Sequence, residues 1–391
     1  MSSFMMYAPT RVLFGAGQLS HLHEQTLPGK KALLVISNGK STRENGSLDH
    51  TIAELSHAGV QAILFDKVQA NPLKSTVMAG AATARDNHCD FIVALGGGSV
   101  MDAAKIMAMM APNEGDLWDY VSGGTGKGKP LPNAPLPLVC ITTTAGTGSE
   151  VDQWGVVNNE ETQEKIGCGG LDGLFPVLSV VDPELMASVP PVFTAYQGFD
   201  ALFHSTEVYI GKGANLMSDM VALTAIENVG KYLVRAVKDG NDLEAREHMA
   251  FANTLSGYSM VTGACVSEHA LEHAMSAYHP NLPHGAGLIM ISLAYYQHFV
   301  DAGCCPERFI RKAQALGMKD ADKPQDFITA LAELQKLCGV AELKMTDFGF
   351  IFDELDKIAV NARETMGGLF LADPCDLDHD GCVNILKKSY R

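Results

Sequence analysis

Basic residues and long apolar runs are both scarce in this sequence. Lys and Arg number 29 against 45 Asp and Glu, which gives a formal net charge of −16. No basic run is present to neutralise phosphates, so nucleic-acid binding is not expected. No apolar stretch is long enough to cross a bilayer, and the N-terminus lacks the basic region and apolar core of a signal peptide. We therefore expect a soluble protein that binds neither nucleic acid nor membrane.

The cysteines lack any framework spacing. There are nine, an odd number, with no C-x-x-C pair among them, and several fall inside apolar runs. This pattern is typical of reduced core thiols and not of a disulfide scaffold or a structural zinc knot. A reducing cytoplasm is the expected compartment.

What the sequence does contain is enough apolar material for two cores. Apolar residues make up 47% and charged residues 19% of 391 residues, which indicates a globular protein long enough for two domains. No internal repeat or low-complexity tract is found.

The two halves of the chain have different patterns. Apolar runs bounded by glycine and polar residues predict buried strands at 31–36, 60–65, 91–95 and 138–141, and helices between them at 47–58, 74–87 and 101–111. This alternation predicts a parallel, helix-covered α/β sheet. After about residue 183 only helical windows remain, at about 193–210, 216–238, 243–264, 267–279, 286–302, 306–317, 323–338 and 346–362. We predict an α/β domain over 1–185 and an all-helical domain over 186–391.

Two glycine-rich loops follow predicted strands in the first half. Gly96-Gly-Gly-Ser99 precedes a helix with Asp102 in its first turn, and Thr142–Glu150 follows the next strand. Glycines allow close backbone approach to a phosphate, and a helix N-terminus favours an anion. Because both loops lie at the carboxyl ends of parallel strands, they favour a Rossmann-like dinucleotide site over simple tight turns.

A carboxylate and several imidazoles lie in the second half. Asp200 and His204 are four residues apart, as are His269 and His273, and His284 follows in Pro-His-Gly. On helices each pair shares one face, and together they are a ligand set for iron or zinc. A single pair of this kind is ordinarily a hydrogen-bonded surface or core feature, so these pairs alone leave both interpretations open.

Three motifs resemble other sites and are better explained otherwise. Gly123–Lys129 has Walker spacing, but Pro130 replaces the hydroxyl residue that holds Mg²⁺ and no strand precedes it. His269–His273 also reads as H-x-x-E-H, a zinc-protease signature that would leave both glycine loops unexplained. Asp376–Gly381 resembles the start of a calcium loop, but Lys387 occupies the position of the required bidentate Glu. We interpret this last motif as helix capping.

Taken together the motifs resemble those of the iron-containing (group III) alcohol dehydrogenases over nearly the whole chain. They occur in the family's order and approximate spacing: Asn71-Pro72, Gly96-Gly-Gly-Ser-Val-Met-Asp102, Thr143-Thr-Ala-Gly-Thr-Gly-Ser-Glu150, Gly198-x-Asp-Ala-Leu-x-His204, His269-Ala-x-x-His273 and Pro283-His284-Gly285. The resemblance implies reversible hydride transfer between NAD(P) and a short-chain alcohol, diol or aldehyde. It also implies a homo-oligomer, a dimer or larger.

The resemblance assigns roles to individual residues. Asp200, His204, His269 and His284 would hold the metal, which is Fe²⁺ by family default and Zn²⁺ in some members. His273 would lie beside the metal and carry the substrate proton. The expected cofactor-binding residues are Ser37, Asn38, Gly39, Asn71, Gly97, Gly98, Ser99, Asp102, Thr142, Thr143, Thr147, Ser149 and Lys165.

Two positions depart from the family pattern. The gap between His273 and His284 is one residue longer than is common and contains His279, which leaves two imidazoles as candidates for the last ligand. Trp154 follows the second glycine-rich loop, where it either narrows the substrate pocket or packs as a core indole.

The residues that follow the first predicted strand indicate a choice between NAD(H) and NADP(H). Ser37–Ser41 carries no acid where NAD-preferring relatives often have an Asp, and Lys40 and Arg43 add positive charge. We therefore predict that NADP(H) is accepted, with a preference for it over NAD(H) as a further hypothesis.

Two other functions are alternatives to an alcohol dehydrogenase. One is a zinc- and NAD-dependent relative of the same superfamily, such as a dehydroquinate-synthase-like or glycerol-dehydrogenase-like enzyme. The other is a metal-storage protein, which would have no use for nucleotide loops. The compact His269–His273 and Pro283–Gly285 motifs favour the alcohol dehydrogenase.

Overall fold

The computed structural model describes residues 3–391, and it divides the chain into two units. One unit comprises Ala8–Ser188, and the other comprises Val189–Arg391 together with the residues before Ala8. No described helix is long and apolar enough to cross a membrane. The predicted fold class is confirmed: a parallel six-stranded sheet with helices is followed by a mostly helical part.

The first unit is built on eight strands and four helices. The strands are β1 (Arg11–Phe14), β2 (Lys31–Ser37), β3 (Gln61–Val68), β4 (Phe91–Gly96), β5 (Leu138–Thr142), β6 (Trp154–Asn159), β7 (Glu164–Gly169) and β8 (Leu178–Val181). The helices are α1 (Ser41–Glu44), α2 (Ser47–His57), α3 (Lys74–Asp86) and α4 (Gly98–Met110). All four predicted strands are present, as β2 to β5.

The main sheet is parallel throughout, in the order β1-β8-β5-β4-β2-β3. Alternate residues of β2 serve two cores, because successive side chains of a strand point to opposite faces. Leu33 and Val35 pack with α3 and α4, whereas Leu34 and Ile36 pack with α2. The chain proceeds from β2 to β3 on one side and then crosses to β4 on the other. The carboxyl ends of β2 and β4 therefore form the topological switch point, where open α/β sheets bind ligands.

Two features of the strands were not predicted. The antiparallel hairpin of β6 and β7 lies outside the main sheet, and its mixed, polar sequence lacks the apolar run that marks the other strands. The sheet edge formed by β1 and β8 was also missed, because each of these strands has only four residues.

The second unit contains nine α-helices within the described residues. They are α5 (Pro191–Ile210), α6 (Leu216–Lys238), α7 (Leu243–Thr262), α8 (Ser267–Tyr278), α9 (His284–Asp301), α10 (Pro306–Ala315), α11 (Gln325–Leu337), α12 (Leu355–Leu371) and α13 (His379–Ser389). Helix α5 packs on α6, α7 and α9, and α8 packs on α9 and α12. Seven of the predicted helical windows correspond to α5 to α11.

The last predicted helix, over 346–362, was wrong in its position. That stretch begins with two short 3₁₀ turns, and α12 starts only at Leu355 and continues to Leu371. Gly349 ends the first turn with φ 86°, a left-handed conformation that a continuous helix cannot accommodate. The capping interpretation is confirmed, because Asp378 is the N-cap of α13 and its Oδ1 accepts from the Gly381 amide at 2.8 Å.

The expectation that all cysteines are reduced thiols is contradicted at one pair. Cys304 and Cys375 form a disulfide between two positions 71 residues apart in sequence. Chain folding brings these cysteines together after α9 and after α12, so no local spacing announced the pair. The other seven cysteines are thiols, most of them buried.

Candidate metal centre and nucleotide-binding loops

Helix α5 carries the first part of the candidate metal centre. Asp200 and His204 are one turn apart and both are buried, so their polar atoms have left bulk water and need compensating partners. The Asp200 Oδ1 and His204 Nδ1 atoms are 3.4 Å apart. Gly198 lets α5 pack closely on α6, because a Cβ at this position would overlap the Leu233 side chain.

Helices α8 and α9 bring two more imidazoles to the same carboxylate oxygen. The Nε2 atom of His269 lies 3.4 Å from Asp200 Oδ1, and the Nε2 atom of His284 lies 3.5 Å from it. His284 is the first residue of α9, and Gly285 beside it packs against the Tyr196 carbonyl, where any Cβ would overlap the backbone. The glycine of the Pro-His-Gly motif therefore sets how closely α9 approaches α5.

Two buried glutamates orient these imidazoles. Glu207 accepts from His269 Nδ1, and Glu272 accepts from His284 Nδ1. Both carboxylates are fully buried. A carboxylate at one ring nitrogen fixes the tautomer and leaves the other nitrogen as a lone-pair donor, as is usual for metal-binding histidines.

Neither glutamate was predicted as part of the site, although the spacing of both in the sequence carried a signal. Glu207 lies three residues after His204 and seven after Asp200, so all three share one face of α5. Glu272 stands one turn beyond His269 on α8. A search for acids in helical register with the candidate ligands would have found both.

The donor set fits one divalent cation. Bonds of about 2.0–2.2 Å to nitrogen and oxygen place neighbouring ligand atoms about 3.0–3.5 Å apart, and the three distances to Asp200 Oδ1 fall at the upper end of that range. Burial opposes ionisation of Asp200, but the surrounding His204, His284 and His269 hold its pKa well below its ordinary value. The site is thus arranged to keep one anionic oxygen among imidazole nitrogens.

The structure separates the two histidines that the sequence left open. His279 stacks on Phe350 and its Nε2 contacts Glu354 Oε1 at 2.8 Å, whereas His284 faces Asp200. A thiol that the sequence analysis had not placed there also lies nearby, because Cys265 has its sulfur within 4.8 Å of a nitrogen of both His204 and His269.

His273 lies beside the cluster and does not face Asp200. Its ring centroid is 5.4 Å from that of His284 and 6.3 Å from that of His269. Its Nδ1 atom lies 2.9 Å from the Met366 sulfur. Met366 is the residue at which the backbone of α12 departs from helical geometry. His273 therefore lies at the side of the cluster of imidazoles, against α12.

In the first unit, both glycine-rich loops lie side by side at the carboxyl edge of the sheet. Gly96 and Thr142 are register partners at the ends of β4 and β5, and the Thr143 amide donates to the Gly96 carbonyl at 3.0 Å. A Cβ at Gly97 would lie 2.8 Å from Thr144. The glycines are thus required for packing between the loops, in addition to any close approach of a ligand.

A buried ion network supports the second loop from below. The Lys105 ammonium donates to Ser149 Oγ at 2.8 Å and to Asp152 Oδ1 at 2.6 Å. Ser149 Oγ donates to Asp102 Oδ1 at 2.7 Å, and Asp102 Oδ2 accepts from the Val156 amide at 3.0 Å. Burial raises the pKa of Asp102 to about 6, against the opposing effects of Lys105 and Ser149. Asp102 and Ser149 therefore join α4 to the loop and to β6.

Comparison with known proteins connects this geometry to one family. The model for iron-containing alcohol dehydrogenases matches residues 9–183, and the model for the C-terminal region of the same family matches residues 194–390. The chain belongs to the iron-containing alcohol dehydrogenase family. The resemblance read from its motifs is therefore confirmed, as is the dehydrogenase class over the storage and ring-forming alternatives.

Individual proteins that are similar to this chain support the same family assignment. A choline dehydrogenase of Bacillus subtilis is 40% identical over 79% of this chain and 76% of its own length. A 1,3-propanediol dehydrogenase of Klebsiella pneumoniae is 34% identical over 89% of this chain and 91% of its own. The crystal structure of an archaeal halo-thermophilic alcohol dehydrogenase from a Red Sea brine pool has a TM-score of 0.95 at 33% identity, covering 100% of this chain and 99% of that one.

The remaining predicted cofactor residues of this alcohol dehydrogenase lie in the first unit. Ser37 ends β2, and the amide of Asn38 donates to the Val68 carbonyl at 2.8 Å; Gly39 follows in the same turn. Asn71 adopts a left-handed φ of 53°. Lys165 is buried on β7 opposite Asn158, and Thr147 Oγ1 accepts from the Ser149 amide at 3.2 Å.

Two side chains of the alcohol dehydrogenase differ from their sequence interpretation. Arg43 pairs with Asp66, Nη2 to Oδ2 at 2.6 Å, so a carboxylate does approach the turn after β2, although it comes from β3. Trp154 is 44% exposed at the start of β6, and the core-indole interpretation is therefore wrong.

Proposed function

We propose that this chain transfers a hydride reversibly between NAD(H) and a short-chain alcohol, diol or aldehyde, with the help of one divalent metal ion. The observation that carries the proposal is the set of three imidazoles at 3.4–3.5 Å from one buried carboxylate oxygen, in a chain that also has two glycine-rich loops at a sheet switch point. Relatives that act on 1,3-propanediol and butanol support this substrate class.

Asp200, His204, His269 and His284 are the proposed ligands. Nitrogen and carboxylate donors without a required thiolate suit Fe²⁺ and also Zn²⁺, and we propose Fe²⁺ because of the family. When bound, such an ion acts as a Lewis acid that lowers the pKa of a coordinated alcohol. Glu207 and Glu272 hold the His269 and His284 rings in the orientation that points Nε2 at the shared site.

His273 is the proposed proton acceptor for the alcohol. Its Nδ1 atom faces the Met366 sulfur, so we propose that Nε2 is the atom that accepts the proton from the alcohol. An imidazole suits this role because its ordinary pKa lies near neutrality. Burial among α8 and α12 keeps bulk water away from the reacting groups.

The nucleotide is proposed to bind at the carboxyl ends of β2, β4 and β5. The first turn of α4 begins at Gly98 and offers Gly98 and Ser99 amides to a pyrophosphate. Thr142, Thr143, Thr147 and Lys165 would steady the ribose and nicotinamide end, while Asp102 and Ser149 position the loop. The nicotinamide ring supplies or receives the hydride.

Acceptance of NADP(H) stays part of the proposal. Lys40 precedes α1, and Arg43 lies within it, so both cations stand near the end of β2. The Asp66 carboxylate neutralises Arg43 in part, which favours NAD(H) as the main cofactor. We also propose a cytoplasmic homo-oligomer.

The proposal is tested by metal analysis of anaerobically purified protein together with a panel of short alcohols and aldehydes. We expect one iron per chain and NADH-dependent reduction of at least one short aldehyde. Asp200→Asn should lose both the metal and the activity, whereas Asp356→Asn, which removes an exposed carboxylate next to His379, should lose neither. A wild-type protein that binds NADH and iron but turns over no member of the panel would refute the substrate class.

A further inference from the structure

A second group of metal-ligating side chains lies in the first unit, on its surface. The chain has 13 histidines, and His23 and His57 meet at one acid, Glu54. His23 belongs to the 3₁₀ helix Gln18–Glu24, and Glu54 and His57 belong to α2. One donor atom from each of the three lies within 4.8 Å of the others.

The two histidines approach different oxygens of the carboxylate. The Nδ1 atom of His23 is 2.6 Å from Glu54 Oε2, and the Nδ1 atom of His57 is 3.9 Å from Glu54 Oε1. The first distance is a hydrogen bond. The second is too long for one, yet the imidazole is turned toward the carboxylate with its ring centroid 5.7 Å from that of His23.

These distances are close to those around a single metal ion. Nitrogen and oxygen ligands on a tetrahedral Zn²⁺ with bonds of about 2.0–2.1 Å are about 3.4 Å apart. The His57 nitrogen would need to move inward by less than an ångström, which its 67% exposed side chain allows. His23, at 37% exposed, can open outward by a similar amount.

The acid between the two histidines is held in place. The Glu54 side chain is only 7% exposed, and its Oε2 also accepts from the His23 backbone amide at 3.1 Å. Burial works against its ionisation, but the contacts with His23 keep the pKa of Glu54 below its ordinary value. Because the carboxylate is already fixed, only the two imidazoles have to be ordered around a cation.

We propose that His23, Glu54 and His57 bind one Zn²⁺ ion, or a transition-metal ion of similar preference, at a site separate from Asp200 and its neighbours. Two imidazoles and one carboxylate are donors that Zn²⁺ prefers, whereas Mg²⁺ and Ca²⁺ require mostly oxygen ligands. The bound ion joins the 3₁₀ helix to α2 and stabilises the first unit, because it binds the folded chain and not the unfolded one. The site does not depend on the proposed catalytic function.

His57→Ala is the decisive variant, and His21→Ala is its matched control. His57 is exposed, so its removal leaves the fold intact. His21 is on the same 3₁₀ helix as His23 and contacts a single acid, with Nδ1 3.2 Å from Glu24 Oε1, but it has no second histidine. The full-length proteins, purified with their own metal content, are dialysed against buffered Zn²⁺ and compared by elemental analysis and thermal melting.

The expected result is one Zn²⁺ fewer per chain in His57→Ala than in the wild type at the same free zinc, and the same count in His21→Ala. The zinc dependence of melting should move to at least about tenfold higher concentration in His57→Ala and in His23→Ala. Exchange at the Asp200 site affects all these proteins equally and cancels in the comparison. Equal zinc binding by wild type and His57→Ala, or an equal loss in His21→Ala, would overturn the proposal.

Discussion

Substitution of Glu207 by Gln tests the claim that a buried acid controls the metal centre without touching the metal. Glu207 accepts from His269 Nδ1 through one oxygen and from the Val266 amide, at 2.6 Å, through the other. Gln has nearly the same shape, but it lacks the negative charge and has only one acceptor oxygen, so one of the two N–H donors loses its acceptor. The variant therefore removes the charge and one acceptor, while the volume of the side chain stays nearly unchanged.

The magnitude follows from what the charge does. A hydrogen bond to a charged acceptor is roughly twice as strong as one to a neutral acceptor, and Glu207→Gln weakens one such bond and removes the acceptor of the other. Loss of a carboxylate behind a metal-binding histidine typically reduces metal affinity by about 10–100-fold, which corresponds to about 1.4–2.7 kcal/mol. The same factor should appear in the concentration of a chelator that removes half the metal.

Glu268→Gln is the matched control for this experiment. Glu268 is also fully buried and lies on α8 beside His269, but it accepts from the Tyr296 hydroxyl and from no candidate ligand. Burial raises the pKa of Glu268 well above its ordinary value, so Glu268→Gln replaces a carboxyl whose charged form burial already disfavours. If Glu268→Gln loses metal as readily as Glu207→Gln, the effect is general to buried acids and the reasoning about His269 fails.

Three further predictions follow from other contacts. His273→Ala should lower kcat by about a hundredfold or more while the metal content stays unchanged. His279→Ala, which removes the histidine that pairs with Glu354, should change neither quantity. Unchanged turnover in His273→Ala would show that His273 does not carry the proton. Asp66→Asn releases Arg43 and should raise the ratio of kcat/KM for NADPH over NADH by about two- to fivefold, which corresponds to the energy of a surface ion pair. Arg43→Ala should lower this ratio. If the ratio changes in neither variant, the adenosine ribose binds elsewhere. Cys375→Ser removes a disulfide that spans 71 residues and should lower the free energy of unfolding by about 4 kcal/mol. Cys305→Ser, which removes a free thiol, should not lower it. If Cys375→Ser and the wild type melt at the same temperature without reductant, the disulfide is not formed in solution.

The parallel sheet was predictable because its central strands are buried on both faces. Strands of this kind must be continuous apolar runs, and β2, β4 and β5 are. The hairpin of β6 and β7 carries Asn158, Asn159, Glu164 and Lys165, all buried and polar, and polar residues of this kind give no strand signal. Its existence depends on contacts with α4, which only the tertiary structure supplies.

The candidate ligands of the metal centre could be identified from the sequence, but the residues around them could not. Asp200, His204, His269 and His284 stand in short motifs whose helical spacing announces a shared face. The distance between Cys265 and His204, or between His273 and Met366, depends instead on how separate helices pack against each other. Spacing in sequence carries no information about such packing, so these contacts became visible only in the fold.

Asp102 shows how a motif residue can support the glycine-rich loops through contacts inside the first unit. Both of its carboxylate oxygens accept within the first unit, one from Ser149 and one from the Val156 amide. Lys105 completes the network through Ser149 and Asp152 and is itself fully buried. A buried cation with fixed anionic and hydroxyl partners is costly to disrupt, so the network holds the loop after β5 against the start of α4. The spacing from Gly96 to Asp102 therefore reflects the need to hold two loops at one sheet edge, with the glycines nearest the proposed phosphate and the acid one turn behind them.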